Sequence, residues 1–321
     1  MEHQDRKAYS KVGPIGCIDA LASMLSISAK DLLTVSKSVE SFWIPGKTLR
    51  KKSGEPRLTS NAKEPLKGLH EKIKNRLLKR VCYPYYLLGG ISDSMMPRDY
   101  KCHAAIHSGK NILISEDIKD FFSSTKTDVV HSIWQCLFHT SPDVASVLTS
   151  LTTYNDCLPQ GWKTSGYLAN LAFWDLEPDL VERLEKRGFS YSRFIDDITV
   201  SSRCRIGASK KSFVISEIYR MLSLRGYSPK RAKHRIATND NRMGVTGLNV
   251  NKNTSSMPKE KRKIIRAMVH RCENHYMQDR TSEGYRKSWE RTSGKVSTLT
   301  RFHETEGNKL RKRLQTVKPI R

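Results

Sequence analysis

The residues of this chain best suited to do chemistry are three aspartates. Asp196 and Asp197 are adjacent in the stretch YSRFIDDITVSS, and Asp117 ends the earlier apolar run NILISED. If these segments pair as neighbouring strands, which lie about 4.8 Å apart, the three carboxylates form one cluster. Such a cluster repels itself without cations, and its hard oxygen ligands suit Mg²⁺, for which Mn²⁺ could substitute. Two ions about 3.5 to 4 Å apart can activate an attacking hydroxyl and stabilise the departing oxygen, so the pattern predicts nucleotidyl transfer.

The elements that must position these carboxylates are a strand and a hairpin. YSRFIDDITVSS sets its aspartates between runs of β-branched and aromatic residues, which predicts two strands joined by an Asp196-Asp197 turn. Two-residue turns favour Asn-Gly, Asp-Gly or Gly-Gly because their central residues need positive φ, and Asp-Asp supplies no glycine. Unfavourable chemistry inside a consistent strand pattern suggests a functional site, although surface turns often hold acidic pairs and the pair alone is weak evidence.

The order of the predicted elements gives the fold class. A strand ending at Asp117 is followed by a turn or helix from near Phe121, a Pro-Gln-Gly loop that leads into a helix, the acidic hairpin, another helix and a hairpin around GVTGLNVN. Further upstream, PLKGLHEKIKNRLLKR has the spacing of an amphipathic helix with a basic face. From Lys259 onward the pattern is helical, with an apolar stripe at Ile264, Ile265, Met268 and Val269. These elements predict an α+β domain with a helical appendage.

Charge is the strongest signal in the composition. The chain has 57 lysine and arginine residues against 32 aspartate and glutamate residues, a net charge of +25, and such an excess points to a polyanion, with nucleic acid the leading candidate. Residues 251–321 carry 19 basic and 7 acidic residues, interleaved with the aromatic residues Tyr276, Tyr285, Trp289 and Phe302. That mixture predicts a surface that tracks a phosphate backbone and packs on sugars or bases, and a solvated basic surface is the alternative.

Targeting and cysteine patterns exclude several classes of protein. The opening MEHQDRKAYS lacks the apolar region of a signal peptide, and no run of about eighteen apolar residues occurs, so neither secretion nor membrane insertion is expected. We therefore expect a cytoplasmic protein with no membrane partner. The seven cysteines are scattered singly without a C-x-x-C motif, which favours reduced thiols over a disulfide framework or a zinc site.

Five ordered motifs make the chain resemble the reverse transcriptases. SEDIKDFF is similar to the first palm motif of that family, LPQGWKTSGYLANL to the second and FIDD to the Y-x-D-D box; RGYSPKRAKH resembles the lysine-bearing fourth motif and VTGL the primer-grip hairpin. The resemblance spans roughly residues 45 to 320. It implies an α+β right-hand polymerase, with fingers, a palm containing an antiparallel sheet, and a helical thumb. The implied domains are 1–110 for an N-terminal extension and fingers, 111–250 for the palm with a fingers insertion about 125–155, and 251–321 for the basic helical thumb.

Within that family the chain most resembles the bacterial retron enzymes and their defence-associated relatives. HAAIH, residues 103–107, is similar to the retron N-A-x-x-H element, and Val245-Thr246-Gly247 matches a second retron hallmark. Five residues depart from the pattern: His103 replaces Asn, Phe194 replaces the usual Tyr, Ile195 replaces the usual Ala, and Ser123 and Gly166 each replace a common proline. All three metal-ligand positions remain acidic, so the resemblance implies an active enzyme.

The resemblance also implies roles for individual residues. Asp117 and Asp196 would carry the bridging metal ligation with Asp197 beside them, whereas Glu116 and Asp120 would be solvated neighbours. The implied nucleotide-binding residues are Lys52, Arg57, Phe122, Gln160, Gly161 and Lys233. Among them, Phe122 would be the steric gate against a ribose 2′-OH, and Lys233 a proton donor to pyrophosphate. The implied primer and template contacts are Phe194, Val245, Thr246, Gly247 and Leu248. Phe121 is expected to be core.

Three functions follow from the resemblance and remain open at this point. The first is a retron-type RNA-directed DNA polymerase that binds dNTPs and a cognate structured noncoding RNA, starts DNA synthesis from a 2′-OH within that RNA, and yields an RNA-DNA hybrid (msDNA) in antiviral defence. Host ribonuclease H would remove template RNA, and the DNA product would restrain a separate effector protein. The second is another defence-associated enzyme that makes repetitive or protein-primed DNA. The third is a catalytically idle RNA-binding scaffold that recruits a toxic effector.

Overall fold

The computed structural model describes residues 6–50, 54 and 56–320, and the chain divides into two compact units. The first unit takes the chain up to His103 and from Ile112 to Ala237, and the second takes Ala104–Asn111 and the chain from Thr238 onward. Each unit has its own apolar core. The α+β class is confirmed, because the first unit combines helices with a five-stranded sheet.

Five strands form the main sheet, and the others pair in twos. The main sheet has the order β11-β8-β10-β9-β7; β10 is antiparallel to both β8 and β9, and β7 runs parallel to β9. The strands of the described residues are β1 (Tyr9–Ser10), β2 (Trp43–Pro45), β3 (Leu49–Arg50), β4 (Pro56–Arg57), β5 (Ser60–Ala62), β6 (Val81–Cys82), β7 (Leu87–Leu88), β8 (Ile112–Asp117), β9 (Phe189–Phe194), β10 (Asp197–Ser202), β11 (Arg235–Thr238), β12 (Gly244–Val245) and β13 (Leu248–Asn249).

The helices Ala29–Lys37 and Pro142–Thr152 begin directly after a capping serine. Ser28 and Ser141 each accept a hydrogen bond from the backbone N–H three residues later, which satisfies one of the free donors of a helix N-terminus. The α-helices are α1 (Ile18–Leu25), α2 (Ala29–Lys37), α3 (Leu66–Arg76), α4 (Tyr100–Ile106), α5 (Phe121–Ser124), α6 (Thr127–Ser132), α7 (Pro142–Thr152), α8 (Ser165–Asn170), α9 (Glu177–Glu185), α10 (Ala208–Leu224), α11 (Lys259–Gln278), α12 (Glu283–Thr300) and α13 (Glu304–Thr316). Short 3-10 turns lie at Val39–Phe42, Leu78–Arg80 and Arg231–Lys233, and a π-helical turn lies at Ile133–Leu137.

The amphipathic helix predicted in PLKGLHEKIKNRLLKR is α3, and the prediction is confirmed. Its buried apolar residues Leu66, Leu69 and Ile73 recur at helical spacing and join the core of the first unit. Each such side chain stabilises the fold by about 1.5–3 kcal/mol through removal from water. Phe121 is also in this core, as expected, and its ring stacks on Phe173.

The central strands β8 and β10 set the register of the sheet beneath the acidic residues. β8 ends at Asp117, β10 begins at Asp197, and these two residues are direct cross-strand partners. The predicted pairing of the two acidic segments is therefore confirmed. Because β8 lies between β11 and β10 and is buried along most of its length, its apolar residues fix the register.

The turn between β9 and β10 differs from the prediction. Phe194 pairs with Asp197, so the two turn residues are Ile195 and Asp196, and the predicted Asp196-Asp197 turn was wrong by one residue. Ile195 takes a φ of 58°, a left-handed backbone conformation that is costly for a β-branched side chain. The strain that the sequence suggested is present, but Ile195 carries it rather than an aspartate.

The second unit packs helices α11, α12 and α13 around a small core. Ile265, Val269 and Cys272 of α11 are buried in it. Ile264, one residue before, is 58% exposed, so the predicted apolar stripe was wrong at that position. A helix advances about 100° per residue, and the core accepts only the residues at spacing three and four.

Of the aromatic residues of this unit, Tyr285 belongs to the core, and the predicted stacking surface was wrong at that position. Tyr285 is fully buried, and Tyr276, Trp289 and Phe302 are half-buried against the same cluster. The Trp289 indole N–H donates to the carbonyl of Leu314 over 2.9 Å, which binds α12 to α13. Helical spacing turns the rings of Tyr276, Tyr285 and Trp289 towards the core, while most lysines and arginines of this unit stay outside.

Candidate active site

The three aspartates form a cluster at one end of the main sheet. One carboxylate oxygen from each of Asp117, Asp196 and Asp197 lies within 4.8 Å of the others. Asp117 is buried at 3% exposure. A set of three carboxylates on a rigid sheet end offers the hard oxygen ligands that divalent cations such as Mg²⁺ or Mn²⁺ require, so the residues present fit a metal site.

Backbone hydrogen bonds fix the two segments that carry the aspartates. The N–H of Ile118 donates to the carbonyl of Asp196 over 3.0 Å, which ties the turn to the end of β8. The N–H of Lys230 donates to the carbonyl of Asp117 over 2.7 Å. The positions of the carboxylates therefore follow from the sheet ladder and do not depend on a mobile loop.

The electrostatics of the cluster favour a bound cation. Burial, followed by the charges of Asp196 and Asp117, raises the pKa of Asp197 to about 7. Lys233 contacts the Asp117 carboxylate. Burial alone would lower the pKa of Lys233, but its hydrogen bond and ion pair with Asp117 outweigh that effect and raise it. One ammonium group cannot neutralise three carboxylates, so added positive charge would stabilise the cluster.

The raised pKa of Asp197 can be tested by unfolding protein from which a chelator has removed divalent cations. A carboxyl whose pKa is raised on folding is favoured in its protonated form by the folded state, so the protein loses stability as the pH rises from the ordinary value of 3.8 to about 7. We expect Asp197→Asn to increase the free energy of unfolding by roughly 2 kcal/mol more at pH 8 than at pH 5. Urea unfolding at the two pH values measures this, with the exposed Asp120→Asn as control. Equal effects of Asp197→Asn at both pH values would contradict the raised pKa of Asp197.

Glu116 is a site residue that the sequence analysis placed wrongly. Its side chain is buried, not solvated: Oε1 lies 2.6 Å from Nδ1 of His234, and Oε2 accepts from the hydroxyl of Tyr219 over 3.4 Å. Because strand residues alternate, Glu116 points to the opposite face of β8 from Asp117, and both faces are covered. The pairs Lys233–Asp117 and His234–Glu116 hold the segment after α10 on the end of β8. Asp120 is exposed, as expected.

Three of the predicted nucleotide-binding residues, Phe122, Gln160 and Gly161, lie in the first unit. Phe122 is half-buried beside Phe121, with the ring centroids 6.2 Å apart. The carbonyl of Gln160 accepts from the N–H of Ser60 over 2.7 Å. Gly161 has a φ of 116°, and a Cβ there would come 2.5 Å from the carbonyl oxygen of Ser60. The glycine is therefore required by the close approach of β5, and its role beside a nucleotide stays a prediction.

Phe194 and His103, two departures from the family pattern, are in contact. Their rings stack with centroids 5.4 Å apart and planes inclined by 19°. The Phe194 ring also lies where a Cβ on Gly89 would come within 2.8 Å of it. The sequence singled out each residue separately, but only the fold shows that the two replacements adjoin.

The remaining predicted residues fall elsewhere. Lys52 lies outside the described residues, and for Arg57 the structure gives only the backbone, which pairs with Leu49 across β3 and β4. Val245–Leu248 forms a tight hairpin in the second unit, with φ of 45° at Thr246 and 79° at Gly247. The Lys261 ammonium donates to the carbonyl of Gly247 over 2.8 Å and braces that turn. Primer or template contact by this hairpin stays a prediction.

Sequence analysis also missed two buried charged residues beside the turn between β9 and β10, Arg193 and Glu177. Arg193 is fully buried and Glu177 is 1% exposed. Arg193 and Tyr191 are two residues apart in β9, so their side chains lie on the same face of the strand, and both are buried. A charged residue at an inward position of a strand is the sequence signal that indicates such a buried ion pair.

Comparisons with known proteins agree with the motifs. A family model described as "Reverse transcriptase (RNA-dependent DNA polymerase)" matches residues 49–250. The chain is similar to the Retron Se72 reverse transcriptase of Salmonella heidelberg (strain 579083-10), with 34% identity over 310 residues that cover 96% of this chain and 81% of the relative. It is also similar to the Retron Ec48 reverse transcriptase of Escherichia coli, with 30% identity over 325 residues, 98% of this chain and 79% of the relative. Among solved structures, a Candida albicans telomerase bound to a fragment of telomeric RNA matches 87% of this chain and 58% of its own at 12% identity, with a TM-score of 0.45, too remote to inform function.

Proposed function

This chain belongs to the reverse transcriptase family and is of the bacterial retron type, and on that premise we propose that it copies part of a structured noncoding RNA into DNA that remains joined to that RNA. As a member of the family it is an RNA-directed DNA polymerase with the α+β right-hand fold, and the family uses divalent metal ions, an RNA template and dNTPs. The proposal adds the start of synthesis at a 2′-OH within the RNA, the hybrid msDNA product, and a role in defence against phage.

The observation that carries the proposal is the cluster of Asp117, Asp196 and Asp197 with Lys233 in contact. Asp117 and Asp196 would hold two Mg²⁺ ions, with Asp197 beside them. When bound, these ions would lower the pKa of the attacking hydroxyl and stabilise charge on the phosphate and on the leaving pyrophosphate. Lys233 would hold the proton that passes to pyrophosphate, and its raised pKa keeps it charged at neutral pH.

Other residues named by the resemblance would select and orient the nucleotide. Lys52 and Arg57 would neutralise the triphosphate, and the backbone at Gln160 and Gly161 would lie beside the incoming base and sugar. Phe122 would close the space that a ribose 2′-OH needs. Phe194 and the hairpin Val245–Leu248 would contact the primer and template.

Phe122→Ala is expected to relax selection against ribonucleotides. A pocket that excludes one small group by shape discriminates by about 10- to 200-fold, so removal of the ring should reduce the preference for dNTPs over rNTPs by a factor in that range. Single-nucleotide extension measures the two values of kcat/KM. Phe213→Ala, which truncates a half-buried phenylalanine on α10, is the matched control and should leave the ratio unchanged. An unchanged ratio in Phe122→Ala would assign the ring to the core.

The basic residues supply the electrostatic attraction for RNA. Residues 251–321 carry 19 basic and 7 acidic residues, and in the described part of this segment most of the basic side chains are exposed. We assign the thumb to this segment, the palm to 111–250 with its fingers insertion at about 125–155, and an N-terminal extension with the fingers to 1–110. RNA selection would depend on shape, loops and 2′-OH contacts, since the A-form major groove is too narrow for side chains.

The proposed cellular setting follows from the retron type. The DNA product would restrain a separate effector protein, and host ribonuclease H would remove copied template. The proposed location is the bacterial cytoplasm. Among the described residues, no helix combines the length and the apolar character needed to span a membrane.

The experiment that tests this function is recovery of the bound nucleic acid. The protein is purified from its host, the nucleic acid that stays bound is sequenced, and both steps are repeated with Asp196→Ala/Asp197→Ala. A defined branched RNA-DNA species that is lost in the variant is the expected result. Repetitive DNA without a branch would indicate the other defence-associated class, and unchanged RNA without DNA in both samples would indicate an RNA-binding scaffold.

A further inference from the structure

A buried ion pair lies directly beneath the turn that carries Asp196. Arg193, the residue before the last in β9, has no exposed surface, and Glu177 at the start of α9 is equally buried. The guanidinium binds the carboxylate through two hydrogen bonds, Nε to Oε1 at 2.7 Å and Nη2 to Oε2 at 2.8 Å. The hydroxyl of Tyr191 donates to the same Oε1 over 2.7 Å. The carboxylate therefore has partners on both oxygens, and its charge is matched.

The rest of the guanidinium faces the catalytic turn. Nη1 of Arg193 donates to the carbonyl of Ile195 over 3.0 Å, and Nη2 donates to the carbonyl of Asn170 over 2.9 Å. The rings of Phe121 and Phe173 lie 5.6 and 5.5 Å from the guanidinium carbon, which confines the planar group. Only a planar fork of donors can bind a carboxylate bidentately and reach two carbonyls at once, and lysine cannot replace it.

The carbonyl that Arg193 binds belongs to the strained residue of the turn. Ile195 holds its φ of 58° between two restraints, because its N–H donates to the carbonyl of Leu88 over 3.1 Å and its carbonyl accepts from Arg193. The peptide group that follows leads directly into Asp196. Fixing that peptide plane fixes the direction in which the Asp196 side chain leaves the turn. A β-branched residue stays in a left-handed backbone conformation only where several surrounding contacts hold it there.

Asn170 extends this network to the helix that follows the Gln160-Gly161 loop. Its side-chain amide donates to the carbonyls of Gly89 and Gly166, over 2.9 and 2.8 Å. Asn170 is the last residue of α8, and its own carbonyl is bound by Arg193. One guanidinium thus joins α9, the end of α8 and the catalytic turn.

We propose that Arg193, held by Glu177, is the positioning residue that aims Asp196 into the aspartate cluster. This inference rests on the proposed function, since it concerns how that site is assembled. The competing explanation is that the ion pair only fills the core. Buried ion pairs can often be replaced by apolar side chains of similar volume without loss of stability, so a purely structural pair would be dispensable for catalysis.

The test removes the pair without leaving a buried charge alone. In Arg193→Met/Glu177→Leu both charges are gone and the volume is kept. The control is Arg183→Met/Glu217→Leu, which makes the same two substitutions at a partly exposed ion pair between α9 and α10, with Nε 2.6 Å from Oε2. Steady-state primer extension gives kcat and KM, and electron paramagnetic resonance titration with Mn²⁺ alone gives the metal affinity without turnover.

We expect the Arg193/Glu177 double variant to unfold cooperatively and to lower kcat by about 100-fold, the effect of a displacement of about 1 Å at a reacting group. Its Mn²⁺ affinity should fall by about 10- to 100-fold, as for other residues that orient metal ligands. The control variant should keep both values. If the double variant does not fold, the same measurements on Arg193→Lys test the positioning role. Lysine keeps the positive charge but cannot bind the carbonyls of both Ile195 and Asn170.

Wild-type kcat and Mn²⁺ affinity in the folded double variant, or in Arg193→Lys, would overturn the positioning role. Failure of the proposed function would look different: the wild-type protein itself would make no DNA, and its Mn²⁺ binding would be insensitive to Asp196→Asn.

Discussion

Asp196→Asn should lower the rate of DNA synthesis by about a thousandfold while the protein stays folded and still binds RNA. The substitution keeps the size of the side chain but removes a charge that would hold the metal ions. Metal ions stabilise the transition state of phosphoryl transfer by several kcal/mol, and a loss of about 4 kcal/mol is about a thousandfold in rate. The fold should not suffer, because the change also removes repulsion among three adjacent carboxylates.

The matched control for this experiment is Asp120→Asn. Asp120 is exposed, stands three residues after Asp117 and has a φ of 44°, a conformation that asparagine tolerates well. Primer extension under single-turnover conditions should show nearly wild-type synthesis for this variant. Synthesis by Asp196→Asn within tenfold of wild type would mean that the cluster is not the catalytic site.

Lys233→Met should lower the rate by about 100-fold, with little change in KM for dNTP. General acid catalysis by a positioned side chain contributes about 10²–10⁴-fold, and the lower end suits a lysine whose side chain is 51% exposed. Burial alone would lower the pKa of Lys233, but Asp117 raises it above its ordinary 10.5, so the group remains a proton donor throughout the neutral range. Methionine has a similar volume and cannot donate a proton.

Two comparisons separate proton donation from simple charge. Lys233→Arg keeps the cation but donates a proton poorly, so it should keep KM for dNTP near the wild-type value and show the same loss of kcat as Lys233→Met. Lys210→Met removes an exposed lysine at the start of α10 and should leave both constants unchanged. Full activity in Lys233→Met would assign the residue to the solvated surface.

The cluster and its supporting strands were predictable because local patterns determine them. NILISED and the two arms of YSRFIDDITVSS have the β-branched and aromatic content of buried strands, and one register places Asp117 opposite Asp197. The order of the motifs then limits the topology. The α3 helix was predictable for the same reason, since its apolar spacing alone defines the buried face.

The exact turn was not predictable, because tertiary contacts override local turn preference. No rule of turn composition would choose Ile195 for a left-handed conformation. The hydrogen bonds from Arg193 and to Leu88 impose it, and these partners are distant in sequence or hidden within a strand. Glu116 was misplaced for a related reason, since its partner His234 comes from a segment that the pattern did not bring next to β8.

Amino-acid composition alone also gave a wrong prediction for aromatic residues of the second unit, because it contains no information on which side chains face the core. The aromatic residues among the lysines and arginines of the second unit suggested a surface for bases, yet Tyr285 is fully buried and Trp289 is tied to Leu314. Charged side chains are found mainly on the surface, so the excess of lysine and arginine could indicate a nucleic-acid partner. Aromatic content is shared between surface and core, and only periodicity along each helix separates the two.

The most direct test of the aspartate cluster as the site of DNA synthesis is a crystal structure of the protein with primer, template, a non-hydrolysable dNTP and Mn²⁺, measured for anomalous scattering. We predict two anomalous peaks about 3.5 to 4 Å apart, both in contact with the carboxylates of Asp117 and Asp196. Manganese peaks elsewhere, with none at these carboxylates in crystals of an enzyme that is active with Mn²⁺, would contradict the proposed site.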